Sequence, residues 1–444
     1  MVLLFCSLVG CGGSKSSNTT SPSASTNLGT SPASVFGMQC GTGNPNDCEG
    51  SGGVPIAWPA TQAQPGCLRL HDAQTEWSVL NPTQGTYAWT NLDNWLDVIA
   101  QHEPRCVIET FVAPPCWSNP AGDCNVLLVY PNGTNSPPAD LTATGSPNFN
   151  SFVTAFTQHC SPSGNCVKDL IRYYEMWNEW DLNVSWTGSA LQLYQMIAPA
   201  VKIIRSNVPH AVILMPSSTP SSDTGVGYQT DFKNWLALEN AKGRISDWIT
   251  WHLYLTSAGQ GTNPPEVQWA TYAANYLSIQ KSTSGWSSTP WADTETNFNG
   301  NNYSCSLQQY TLNDCVGQVV RWQLLHQSNG AASLVWFKWN QTIGNVPPYE
   351  NAYYQMMQFL VGGTFPAPCS YTTDSGGNQI WTCSFTEANG TAALFVWTPT
   401  EGGIVSYSVP AGYIDYRDFA GDPATTLSAG QSINLNAQPI MLEK

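Results

Sequence analysis

The chain has 444 residues, a formal net charge of −15 and a pI near 4.6, so it offers no basic patch to neutralise phosphates and nucleic acid is excluded as a partner. Only 10% of residues are charged, while aromatics reach 11% with 19 Trp, a balance that suits a polar, mostly uncharged exterior and stacking against the flat apolar faces of sugar rings. The length can bury a large core and predicts two domains, or one barrel with an attachment.

The first residues carry an address. Val2 to Gly10 is an apolar run too short to span a bilayer. It ends in Leu8-Val9-Gly10-Cys11, which resembles a bacterial lipobox; the resemblance implies a leader over 1–11, lipidation of Cys11 and a place in the bacterial cell envelope. An ordinary signal peptide cut elsewhere is the plainer alternative. Residues 12–33, rich in Ser, Thr, Gly and Asn, read as a flexible tether. Of 14 cysteines, Cys6 falls in the leader and Cys11 at the anchor, which leaves an even number. Cys40/Cys48, Cys116/Cys124, Cys160/Cys166, Cys305/Cys315 and Cys369/Cys383 are close pairs around turn residues, and Cys67 and Cys106 would start neighbouring strands. Six disulfides of an exported protein are expected; metal binding is the alternative, but the pairs lack CxxC spacing and a His cluster.

From residue 34 a repeating alternation of short apolar strand and amphipathic helix begins. Strands are predicted at Ser34 to Gln39, Gly66 to His71, Arg105 to Val112, Ile171 to Asp181, Ala211 to Met215, Asp247 to Tyr254, Pro290 to Glu295 and Ala332 to Trp339. Helices fall between them. Trp89 to His102 carries Leu92, Trp95, Leu96 and Ile99 on one face, and Asn148 to His159 carries Phe149, Phe152, Val153 and Phe156. Eight such units over 34–361 predict a (β/α)8 TIM barrel rather than an open sheet. From Gly362 to the end, helical periodicity gives way to short strands such as Ala392 to Trp397 between Gly, Pro, Asn and Asp turns, the pattern of an antiparallel β-sandwich.

Barrel chemistry sits where strands emerge at their C-terminal ends. The fourth strand runs into Trp177-Asn178-Glu179 and the seventh ends in Glu295. Strands three apart face each other across an eightfold mouth, so the two carboxyls can meet. Glycoside cleavage needs such a pair: one acid to protonate the leaving oxygen and one carboxylate to meet the oxocarbenium-like centre. Ionised Glu295 would itself help keep Glu179 protonated. Asp293, close by on the same strand, could be presented in place of Glu295. Glu109 and Glu175, within strands, are candidates for ion pairs inside the barrel. No P-loop, dinucleotide fingerprint, HExxH motif or nucleophile elbow is present, and the two-carboxylate chemistry calls for no cofactor or metal.

Trp177-Asn178-Glu179 and Trp291-Ala-Asp-Thr-Glu295 resemble the two catalytic signatures of clan A retaining glycoside hydrolases. Arg69-Leu-His-Asp72, Trp77-Ser-Val-Leu-Asn-Pro82, Gly85-Thr-Tyr87, Trp89 and Leu92-Asp93 narrow this to a resemblance to the β-xylosidase/α-iduronidase-like family, family 39, over the barrel. The chain departs from that pattern at Trp180-Asp181 and at His71, where Trp is frequent. The resemblance implies Glu179 as general acid/base and Glu295 as nucleophile. It also implies Asn178 on the sugar 2-hydroxyl, Arg69 holding the nucleophile ionised, and His252 and Tyr254 about the nucleophile and the sugar. Trp339 is the implied stacking platform, with Trp336 its rival. The expected substrate is a β-linked oligo- or polysaccharide or glycoside, xylosides first; an endo-acting β-glucanase or β-mannanase on the same barrel and a non-catalytic glycan-binding lipoprotein are the alternatives.

Overall fold

The computed structural model describes residues 31, 35–40, 65–119, 124, 132–255, 264–298, 305, 312–339, 343, 346–400, 403–428 and 430–444. The leader, Cys11 and the tether lie outside them except for Ser31, which is buried and exchanges backbone hydrogen bonds with Gly362 and Gly363, so the chain is already held there rather than flexible. Eight parallel strands form the barrel: β1 (Phe36–Gln39), β2 (Cys67–Leu70), β3 (Cys106–Thr110), β4 (Tyr173–Glu175), β5 (Val212–Leu214), β6 (Ile249–His252), β7 (Trp291–Thr296) and β8 (Ser333–Trp336). Their order, β5-β4-β3-β2-β1-β8-β7-β6, closes through parallel bridges at Leu214–Trp248 and Ser218–Trp251. The strands are shorter than their apolar runs suggest. Most of Met176 to Asp181, for example, is irregular backbone at the mouth rather than a continuation of β4.

Period-two alternation sorts the side chains. Cys67, Ile108, Leu214 and Val335 point into the barrel and form an apolar layer. Gly37 belongs to this crowded interior, where a Cβ would stand 2.7 Å from Val335 Cγ2 and 2.9 Å from the Leu334 carbonyl oxygen. Above this layer Gln39, Arg69, Thr110 and Glu175 build a polar one, while their neighbours Met38, Leu68, Leu70 and Tyr174 pack under the helices. Helix Thr90–His102 buries Leu92, Trp95, Leu96 and Ile99. Helix Pro147–Gln158 buries Phe149, Phe152, Val153 and Phe156, and starts at Ser146, whose side chain accepts from Phe149 N–H as an N-cap does. Helix Ala190–Asn207 starts with a capping box between Ser189 and Gln192.

A six-stranded antiparallel sheet and a two-stranded ribbon follow the last barrel helix, Pro347–Leu360. In the large sheet Trp381, Phe385, Phe395 and Trp397 face the barrel and join its core. On the other face Ile380, Val396 and Leu442 meet Val405 and Leu435 of the ribbon. The seam between sheet and barrel includes a buried polar contact: Trp397 Nε1 donates to Glu266 Oε1 at 2.6 Å, and Arg321 Nη1 pairs with Glu266 Oε2 at 3.1 Å.

Disulfides join Cys67–Cys106, Cys160–Cys166, Cys305–Cys315 and Cys369–Cys383, as their placement predicts. Cys40 is also disulfide-bonded; its expected partner Cys48 lies outside the described residues. The expected Cys116–Cys124 bridge is not formed. Cys116 begins a short 3-10 turn, Cys116–Ser118, that aims its thiol at the Gly133 carbonyl, 3.5 Å away. No helix among the described residues is long and apolar enough to cross a membrane.

Glu109 faces away from the barrel interior and is buried, as is Glu76. Burial, with Asp72 adding to it, pushes the Glu76 carboxyl up to about 8, and burial together with Glu76 holds Glu109 well above the carboxylate range. The folded chain therefore binds protons that the unfolded chain releases above about pH 4.5, and the stability these groups contribute falls as pH rises from there towards 8. Glu76→Gln should shrink the loss of thermal midpoint between pH 5 and pH 8 relative to the parent; an unchanged difference would contradict the assignment.

Candidate active site

Arg69 is the hub of the barrel mouth. It is fully buried and spends its guanidinium on four side chains. Nε and Nη2 donate to Glu175 Oε2 at 2.9 and 2.6 Å, Nη2 also to Asn178 Oδ1 at 2.7 Å, and Nη1 to Glu295 Oε2 at 2.7 Å and to Gln39 Oε1 at 2.6 Å. Because an arginine only donates, the contact orients Asn178: its carbonyl oxygen faces Arg69 and its NH2 points elsewhere. Thr110 donates to Glu175 Oε2 at 2.9 Å and Thr294 to Glu175 Oε1 at 2.5 Å. Burial raises the Glu175 carboxyl, but the charge of Arg69 and the hydrogen bonds from Thr294 and Arg69 outweigh it and hold Glu175 below its ordinary value.

Glu295 reaches this hub through an irregularity in β7. Trp251 and His252, adjacent on β6, pair with Asp293 and Glu295; Leu334 and Trp336 on β8 pair with Asp293 and Thr296. Strand β7 thus carries one extra residue against both neighbours, a bulge. Strict alternation would put Asp293 and Glu295 on one face. The bulge separates them instead. Asp293 Oδ2 meets His326 Nε2 of the outer helix Leu312–Ser328 at 3.1 Å, and Thr296 Oγ1 accepts from Trp322 Nε1 of the same helix at 2.8 Å, whereas Thr294 and Glu295 both enter the barrel. Asp293, the rival suggested by the sequence, is buried among the helices.

Glu179 arrives from the opposite wall in a left-handed backbone conformation, φ 44°, which non-glycine residues adopt at a cost. Glu179 N–H donates to Ser217 Oγ at 3.0 Å, and its carbonyl accepts from Leu182 N–H at 3.0 Å. Behind it, Trp180 packs against Trp235 with ring centroids 5.3 Å apart, and the buried Asp181 accepts from Thr219 N–H at 3.0 Å. The residues at which the chain departs from the family pattern therefore support the Glu179 turn from behind.

One carboxylate oxygen of Glu179, a ring nitrogen of His252 and one carboxylate oxygen of Glu295 all lie within 4.8 Å of one another. His252 Nδ1 is 2.9 Å from Glu179 Oε1 and its Nε2 is 3.2 Å from Thr294 Oγ1. Tyr254 donates its hydroxyl to Glu295 Oε1. Glu179, His252 and Glu295 have the donor types of a metal site; here His252 is hydrogen-bonded to Glu179 and Thr294, and Glu295 to Arg69 and Tyr254. Burial pushes the Glu295 carboxyl above its ordinary value; Arg69 and the Tyr254 hydroxyl oppose this. Arg69 thus acts on Glu295 as a counterweight to burial, in the direction of the ionised form.

Arg69, Asn178, Glu179, His252, Tyr254 and Glu295 are accordingly brought together. The two Trp residues are not. Trp336 and Trp339 are both wholly buried; Trp336 pairs with Met38 and Thr296 on the helix side of the sheet, and Trp339 lies edge to face on Tyr353 of the last barrel helix. As placed, neither offers a face to a sugar. Sequence reading also passed over Gln39, Thr294 and the full part of Glu175. His71, seen there only as a departure, lies at the site too: Nδ1 is 3.2 Å from Gln39 Nε2 and 3.8 Å from Glu295 Oε2. Their one signal is position, since each is a polar residue on a barrel strand or at its mouth.

No protein-family model matches the chain, and no curated protein does. Solved structures do. A family 39 glycoside hydrolase from the gut symbiont Bacteroides cellulosilyticus WH2 superimposes with a TM-score of 0.57 at 15% identity, covering 86% of this chain and 76% of its own. A glucosidase from Croceicoccus marinus gives 0.59 at 14%, covering 94% and 97%. A family 51 arabinofuranosidase from Xanthomonas axonopodis pv. citri gives 0.53 at 10%, covering 93% and 96%. The likeness shows the fold. It is a TIM barrel with a C-terminal β-sandwich, as expected.

Arg69 is the shared cation of two buried carboxylates, and removing one partner of such a pair typically costs ~3–5 kcal/mol. Arg69→Met should lower the unfolding free energy by about that much in a denaturant titration, and Arg69→Lys, a point charge without the fork, should recover only part. A loss below about 1 kcal/mol for Arg69→Met would contradict the buried-pair reading.

Proposed function

We infer that the protein is a retaining glycoside hydrolase that cleaves β-linked glycans or glycosides by double displacement. The observation that carries this is the approach of Glu179 and Glu295 oxygens to within 4.8 Å. Retaining enzymes hold their two carboxyls ~5–5.5 Å apart, whereas inverting ones need ~6.5–9.5 Å to admit a water. Here the spacing leaves the anomeric carbon within reach of Glu295 and the leaving oxygen within reach of Glu179.

In the first step a Glu295 carboxylate oxygen attacks the anomeric carbon while Glu179 gives its proton to the departing oxygen. Arg69 and Tyr254 meet opposite oxygens of Glu295, which fixes the carboxylate plane. The NH2 of Asn178, turned from Arg69, is the donor for the sugar 2-hydroxyl, a bond that strengthens as positive charge develops on the ring. Esterification then removes the Glu295 charge. In the second step Glu179, now a carboxylate, takes a proton from the water that releases the sugar.

The resemblance to family 39 makes β-xylosides the first substrates to test. The disulfides support export to an oxidising compartment, and Cys11 is the proposed lipid anchor. Glu295→Ala should lower hydrolysis of 2,4-dinitrophenyl β-D-xyloside by at least ~10³-fold, and azide should restore turnover with a glycosyl azide of inverted configuration. Proton NMR of the unmodified enzyme's first product should show the β-anomer. An α-anomer would refute double displacement.

A further inference from the structure

The mechanism needs Glu179 to hold a proton at rest, and the hydrogen bonds beneath it decide where that proton sits. Glu175 is fully buried and accepts from Arg69 Nε and Nη2, from Thr110 and from Thr294. Held ionised by Arg69, it has no hydrogen to give. The Thr294 hydroxyl hydrogen must therefore point to Glu175 Oε1, 2.5 Å away. That leaves the Thr294 oxygen only its lone pairs, and His252 Nε2 faces them at 3.2 Å. A hydroxyl already donating elsewhere can serve His252 only as an acceptor, so Nε2 carries the ring proton. Glu175 Oε1, 3.9 Å from Nε2, favours the same arrangement electrostatically.

With Nε2 protonated, a neutral ring presents a lone pair at Nδ1, and Nδ1 stands 2.9 Å from Glu179 Oε1. Two lone pairs cannot share that distance favourably, so the contact requires one proton. We propose that Thr294, anchored on Glu175, is a positioning residue that holds His252 as its Nε2–H tautomer and thereby holds Glu179 in its acid form with its proton towards Nδ1. The inference rests on Glu179 being the general acid/base. Catalysis follows in balance. When the glycosidic C–O bond breaks, the Glu179 proton passes to the leaving oxygen and the carboxylate is left facing the Nδ1 lone pair. That repulsion raises its basicity, which favours taking a proton back from water in the second step. Thr294 can do this only because the β7 bulge lets it enter the barrel beside Glu295, where an unbulged strand would present one of the two.

The direct test is nitrogen NMR of the enzyme labelled with 15N-histidine, with the His252 ring assigned by its loss in His252→Gln. The expected spectrum shows a protonated Nε2 and an unprotonated Nδ1. A protonated Nδ1, whether alone or in a doubly protonated ring, would overturn the proposal. A kinetic arm uses phenyl and 2,4-dinitrophenyl β-D-xyloside, since only the poorer leaving group needs acid help. Thr294→Val should lower kcat/KM, which reports the first step alone, by about ten-fold on the phenyl glycoside, a fraction of the ~10²–10⁴ a positioned acid supplies. It should leave kcat/KM on the dinitrophenyl glycoside within about three-fold, and Thr294→Ser should restore the phenyl value. Equal losses on both substrates would mean that Thr294 only supports the fold. Glu179→Gln separates the two levels: if that variant lacks leaving-group dependence, the acid assignment itself fails. If it has the dependence and Thr294→Val does not, only the tautomer lock fails.

Discussion

A single buried cation governs this barrel. Arg69 sits with no exposure between Glu175 and Glu295 and reaches Gln39 and Asn178 as well, so one side chain ties β1, β2, β4 and β7 together across the mouth. Taking a guanidinium and two carboxylates out of water is expensive, and their mutual attraction repays it only when geometry is good and the remaining donors are used. Here every one of the three nitrogens has a partner. A lysine could neutralise charge but could not span four acceptors. The position of Arg69 is fixed from below by the Cys67–Cys106 disulfide, two residues earlier on the same strand and in register with β3.

Around this fixed point the site is assembled from departures from regular structure. A uniform strand β7 would deliver Asp293 and Glu295 to one face; the bulge turns Asp293 towards His326 and lets Thr294 and Glu295 share the interior. A regular end to β4 would not aim Glu179 across the mouth, and its positive φ does so at a cost the surrounding turn sustains. Rigid packing behind makes both tolerable. Trp180 on Trp235 and Asp181 on the Thr219 amide brace one side, and the helix carrying Trp322 and His326 braces the other. The sandwich contributes at one remove, through the core it shares with the barrel and the Trp397–Glu266–Arg321 contact.

Much of the aromatic surplus lies in the core among the described residues. Both Trp residues proposed for sugar stacking are interior, and the barrel's helix layer holds two groups of ring contacts, one about Trp77 and Phe111 and one about Trp251, Trp291 and Trp322. Large rings fill the space between strands and helices efficiently, and burial of such area outweighs their role at a surface.

Periodicity and turn chemistry are local, so the sequence alone carried the eight strand–helix units, the later change to antiparallel strands and most of the cysteine pairing. It also pointed to Asn178-Glu179 and to a carboxyl near the end of the seventh strand as residues of the mouth, because barrel strand ends are where such groups gather. Which face each residue takes is not local. A one-residue bulge reverses every later side chain, so the choice of Glu295 over Asp293 and the entry of Thr294 depended on how β7 met β6 and β8. The same holds for Trp336, Trp339 and the Cys116 thiol, each of which is placed by neighbours distant in the chain. Glu175 could be read as an ion-pair candidate inside the barrel, but its partner Arg69 and the parts of Gln39 and Thr294 could not, for the same reason: these residues meet across the barrel, and no spacing along the chain records that reach.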